Sequence, residues 1–93
     1  MGPSRIMHEL SLINDLMHKI ESVAQSRNAR KIVGVKVQLG ALAHISAEHF
    51  REHFVHAARR TAAEDARLDI EVLSDENDPH AMEILLCSVT VEE

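Results

Sequence analysis

The sequence predicts an α+β fold: a small three-stranded mixed sheet covered on one face by two helices, in the order α-β-α-β-β. Three observations predict it. Apolar residues recur at three- and four-residue steps from Met7 to about Ser26, the mark of a helix with one buried side. Apolar and polar residues alternate over 32–39 and 68–72, the mark of half-buried strands. A strand, helix, strand unit with a crossover of this length can set its strands parallel through a right-handed connection, while the loop of about seven residues that follows favours an antiparallel pairing of the last two strands.

In the first helix, Leu10, Ile13, Met17, Ile20 and Ala24 form the stripe, and Leu12, Leu16 and Val23 widen it. Glu9 would lie in its first turn, at the positive end of the helix dipole, with Arg27, Arg30 and Lys31 at the exit. In the first strand, Val33, Val35, Val37 and Leu39 point one way and Gly34, Lys36 and Gln38 the other; Gly40 ends it. Ser46 is an N-cap candidate, and Glu48 suits a helix start, so a second helix should run to about Ala63 with Phe50 and Phe54 on its core face. Leu68, Ile70 and Val72 alternate with Asp69 and Glu71 in the second strand, and Ile84 to Val91 is rich enough in branched residues for a third. Between them Ser-Asp-Glu-Asn-Asp-Pro-His forms an acidic turn in which Pro79 bars strand continuation.

Ninety-three residues make one domain, with a core that must be aliphatic because Phe50 and Phe54 are the only aromatic residues. Fifteen acidic residues against ten Lys and Arg give a formal charge of −5, which repels phosphate backbones and argues against nucleic acid as a partner. A single cysteine, Cys87, fits a reducing compartment, so the cytoplasm is the expected location. No apolar run has the length of a membrane span or the placement of a signal peptide, so no membrane partner is expected.

The chemistry concentrates in nitrogen donors. Square-planar Ni(II) favours them, and a chain terminus can supply several from adjacent atoms: a free amine, ionised backbone amides and an imidazole. Met7-His8-Glu9 offers that set if the mature chain starts at Met7, for otherwise the Met7 nitrogen is an ordinary amide. On spacing alone the plainer reading, a polar residue at a helix start, stands beside it. His49, His53 and His56 fall at i, i+4 and i+7 on one side of the second helix. They form either a solvated stripe or an auxiliary metal site, with Arg60 on the same side opposing a cation. Asp75, Glu76, Asp78 and His80 do not follow a calcium-loop pattern and read as a solvated turn. His18 and His44 read as surface or capping residues, and Cys87 as a small hydrophobe packed near Leu85 and Val89. No phosphate loop, nucleophile elbow or carboxylate pair appears, so the protein is not expected to be an enzyme.

Met7-His8-Glu9-Leu10-Ser11-Leu12, the strand Val33-Gly34-Val35-Lys36-Val37-Gln38-Leu39-Gly40-Ala41-Leu42, Glu48 to Phe54, Ala63-Glu64, Leu68 to Glu71 and Glu83 to Glu92 together resemble the HypA/HybF family, the nickel-insertion accessory proteins of hydrogenase and urease maturation. The resemblance implies a HypA-like nickel-binding domain over 7–93 preceded by an extension over 1–6, with Ni(2+) held by Met7, His8 and Glu9. It implies as partners a HypB-like GTPase and the hydrogenase large subunit. Members of the family carry a zinc ribbon with paired Cys-x-x-Cys motifs between the last two strands; here Leu73 and Met82 are joined by eight residues without a cysteine. A structural zinc site needs four Cys or His ligands, and His80 and Cys87 are the nearest candidates, so no structural zinc is expected. The expected function is therefore that of a metallochaperone-like protein assisting nickel insertion into [NiFe]-hydrogenase or urease. The alternative is a zinc-less interaction or regulatory module that no longer delivers metal. Homodimer formation through a face left bare by the missing ribbon stays open.

Overall fold

Two helices and three strands follow one another in the predicted order in the computed structural model, which describes the backbone of residues 2–92 and the side chains of residues 13–92. They are α1 (Gly2–Ser26), β1 (Lys31–Leu39), α2 (Ala47–Ala58), β2 (Arg67–Val72) and β3 (Ile84–Glu92). The helix α1 begins five residues earlier than its apolar stripe implied. Pro3 accounts for this, because a proline in the first turn gives up an N–H that would have no helical partner anyway. Glu9 thus lies about two turns inside the helix, and the first turn holds no acidic residue.

At its other end α1 stops in a Schellman motif. Asn28 adopts φ 52°, the Ala29 N–H donates to the Ala24 carbonyl at 2.9 Å and the Asn28 N–H to Gln25 at 3.1 Å. Of the stripe read from the periodicity, Ile13, Leu16, Met17, Ile20 and Ala24 are buried and Val23 is half-buried, while the side chains of Leu10 and Leu12 lie outside the described residues.

The sheet order is β2-β1-β3. As predicted, β1 and β2 run parallel, with Val35 opposite Leu68 and Val37 opposite Ile70. The last two strands do not pair with each other. Instead β3 runs antiparallel along the other edge of β1, with Val37 opposite Leu86 and Val35 opposite Val89. The pairing has two register shifts, which leave Val33 as the extra residue in β1 and Cys87 as the extra residue in β3. Val35, Val37 and Leu39 are buried as the alternation predicts, but ahead of the first shift Ile32 takes the buried place and Val33 is 40% exposed.

The second helix also ends sooner than predicted, at Ala58 instead of near Ala63. Thr61 explains the stop. Its N–H and hydroxyl both donate to the Ala58 carbonyl, at 3.0 and 2.6 Å, and its Oγ1 accepts from the Ala63 N–H at 3.1 Å. This local exchange replaces helical bonds. The turn then docks on the sheet through a bond from the Ile32 N–H to the Ala62 carbonyl at 2.8 Å.

Both helices pack on one face of the sheet. Phe50, Phe54 and Ala58 of α2 join the α1 stripe over Ile32, Val35, Val37, Leu39 and Leu68, with Ile84, Leu86, Val89 and Val91 of β3 at the margin. The other face is polar, crossed by a Gln38–Glu71 hydrogen bond of 3.0 Å and an Arg67–Asp69 ion pair of 3.8 Å.

The connection over 73–83 passes across the end of β1. The Leu73 N–H donates to the Leu39 carbonyl at 2.9 Å, the Gly40 N–H to Glu83 at 2.9 Å and the Leu42 N–H to Ala81 at 2.7 Å. Gly40 permits the crossing, because a Cβ there would overlap the Ala81 carbonyl.

Candidate metal centre

The backbone of Met7, His8 and Glu9 lies in α1 as its sixth to eighth residues, and their side chains lie outside the described residues. A helix leaves only its first four N–H groups without an internal acceptor. In a helix begun at Gly2 these three amides fall past that point. The nitrogen of Met7 is here a peptide amide, and only in a chain whose first residue is Met7 would it be an amine beside the His8 imidazole.

Ser46 caps α2 as predicted, accepting from the His49 N–H at 3.1 Å and fixing the first turn from which His49 projects. One turn on, the His53 ring lies with its centroid 4.9 Å from that of His49, the planes inclined by 33°. His56 lies a further turn along without sharing that contact. The structure therefore brings two of the three candidate imidazoles together. Arg60, expected beside them, has left the helix, with φ 65° in the turn beyond Ala58. Among the described residues no group of three or more His, Cys, Asp or Glu side chains is placed to hold an ion.

The acidic loop is organised by its own backbone. Asp75 Oδ1 accepts from the Asn77 N–H at 3.0 Å, and Asp78 Oδ1 from the His80 N–H at 2.7 Å. His80 Nδ1 meets Glu83 Oε2 at 3.0 Å. This hydrogen bond and the Glu83 charge, with a smaller contribution from Asp78, hold the His80 imidazole above its ordinary pKa. Glu83 is a partner that the acidic-turn reading does not include, and the signal for it in the sequence is its i+3 spacing from His80.

Cys87 does not pack as a small hydrophobe. It is exposed at the bulge in β3, and its Sγ makes only a long contact of 3.9 Å to the Leu85 carbonyl. His18 and His44 are exposed, and His44 adopts φ 60° in the turn before α2. No described helix is long and apolar enough to cross a membrane.

Comparison with known proteins gives a consistent result. A family model described as hydrogenase/urease nickel incorporation, metallochaperone, hypA matches residues 7–78. The chain is 36% identical over 70 residues to hydrogenase maturation factor HypA of Methylocella silvestris, a match that covers 75% of this chain and 62% of that protein. It is 35% identical over 85 residues to the protein of the same name from Rhodopseudomonas palustris strain BisA53, covering 91% and 71%. It thus spans roughly two thirds of the length of these relatives. In fold it is similar to the solution structure of the Ni metallochaperone HypA from Helicobacter pylori, with a TM-score of 0.76 at 19% identity over 90% of this chain and 97% of the other.

Proposed function

The chain belongs to the HypA family of hydrogenase and urease nickel-incorporation metallochaperones, and from that premise we propose that it binds Ni(2+) as cargo through Met7, His8 and Glu9 and hands it on during enzyme maturation. The family's members are maturation factors, and the protein is not an enzyme. The observation that carries the reading is where the family match starts. It opens on Met7, so Met-His-Glu occupies the leading residues of the matched segment.

In this reading residues 7–93 are the nickel-binding domain, without a zinc ribbon, and 1–6 are an extension whose removal frees the Met7 amine. The amine, the His8 imidazole and neighbouring backbone nitrogens then surround the ion. The amine and the backbone nitrogens must shed protons before they bind, the imidazole binds in its neutral form, and release reverses this, so transfer is ligand exchange with no covalent bond to the acceptor. The acceptor is the hydrogenase large subunit, or urease, reached in the cytoplasm together with a HypB-like GTPase.

Calorimetric titration with Ni(2+) of protein beginning at Met7, beside the 93-residue chain, tests the site. Tight binding with the absorption of diamagnetic square-planar Ni(II) is expected for the shorter protein, and its loss in His8→Ala with the fold intact. Binding that survives His8→Ala would refute the terminal site.

A further inference from the structure

We propose that His49 and His53 form a second, independent metal site on the solvent side of α2, a two-imidazole chelate for a divalent transition metal such as Ni(2+). It rests on this helix alone and not on where the chain begins.

The distance between the rings suits a shared ion. With metal–nitrogen bonds of about 2.1 Å and a ring centroid about 1.1 Å behind each nitrogen, rings at roughly 90° to 110° around one ion lie about 4.5 to 5.2 Å apart. The observed separation is 4.9 Å. The spacing of four residues keeps both imidazoles on one face of the helix, and the Ser46 cap secures the turn that carries His49.

The electrostatic surroundings also allow a cation. Arg60, which an uninterrupted helix would have carried round beneath His53, is diverted by the turn at Thr61. Arg51 lies about half a turn round the helix from both rings. Glu48 and Glu52 share the exposed side of this segment and offset the incoming charge.

Imidazole donors select nickel, copper and zinc over magnesium and calcium. With two protein ligands and no third donor grouped with them among the described residues, the remaining positions fall to water or to a donor from another molecule. The site is therefore one of exchange: it retains metal less firmly than a closed cage and leaves coordination positions free for a receiving protein.

The test uses the full 93-residue chain carrying His8→Ala, so that the terminal imidazole contributes nothing. Titrated with Ni(2+), this protein should bind one ion per chain, with paramagnetic broadening of the His49 and His53 ring resonances ahead of the other histidines. His49→Gln or His53→Ala should weaken that binding by about a hundredfold, because the second imidazole of a chelate acts at high effective concentration. His18→Ala should leave it unchanged. Circular dichroism separates loss of the site from loss of the fold, and His49→Gln and His53→Ala supply two separate variants should one misfold. Failure of the His8→Ala chain to bind Ni(2+), or binding indifferent to both His49 and His53, overturns the proposal.

Discussion

Replacing Gly40 with alanine sets two physical effects against each other, and the structure decides between them. Gly40 has no positive φ, so alanine can adopt its backbone conformation. Through the unfolded chain alone Gly40→Ala should stabilise by about 0.4–1 kcal/mol. Yet the new Cβ would overlap the carbonyl of Ala81 and approach that of His80, and these are backbone atoms with no rotamer to change. Relief requires the 73–83 connection to lift off β1. That breaks the bonds from Leu42 to Ala81 and from Gly40 to Glu83, each worth roughly 1 kcal/mol net. Residual crowding adds about 1–3 kcal/mol, so the net loss is about 2–4 kcal/mol after the entropic gain. For a domain of this size that lowers Tm by roughly 10–30 °C. Gly34→Ala is the matched control, because its Cβ would meet Thr90 Cβ at 3.6 Å, an ordinary contact. Urea unfolding followed by circular dichroism measures both. A Gly40→Ala protein as stable as the parent would show that the connection is not held against β1, and the reasoning would fail.

Four further outcomes are expected. Nickel affinity of protein beginning at Met7 should fall steeply as pH drops toward about 6.5, where imidazole protonates; an affinity equal at neutral and mildly acidic pH would exclude nitrogen donors. Phe50→Ala, at a fully buried position, should cost about 3–5 kcal/mol in chemical unfolding. Glu83→Gln should return the His80 pKa toward 6.5 in an NMR titration, since the Glu83 hydrogen bond and charge are what raise it. A raised folded-state pKa contributes stability that is present below 6.5 and lost as pH climbs through the folded value, so any advantage of the parent over Glu83→Gln should shrink with rising pH. The Cys87 thiol, exposed at its bulge, should react with a thiol reagent at full stoichiometry without denaturant, and protection until unfolding would contradict its placement.

The parts of this fold that are written locally were readable. The α1 stripe from Ile13 to Ala24, the Ser46 cap and the parallel β1–β2 pair follow from periodicity, side-chain chemistry and crossover length. What escaped depends on distant partners. Loop length favoured β3 beside β2, but the available edge of β1 accepted it, and no local pattern names an edge. The bulges at Val33 and Cys87 are likewise properties of a pairing, and they expose two residues that alternation or composition would bury. Thr61 ended α2 at Ala58, short of the Ala63 that apolar spacing implied, whereas the end of α1 at Ser26 was read correctly. In the candidate site, i+4 spacing identified His49 and His53, whereas the departure of Arg60 needed the turn that only tertiary docking reveals.

The 73–83 segment enters at Leu39 and leaves at Gly40, the last residue of the central strand and the one that follows it. Its mouth is thus already closed, like a clasp, before anything hangs from it. Lengthening such a closed handle costs only about 0.6 kcal/mol for each doubling of its span. Extra sequence spliced between Ser74 and Pro79 should leave the sheet and both helices undisturbed, so this junction is a place where evolution, or an engineer, can exchange whole appendages.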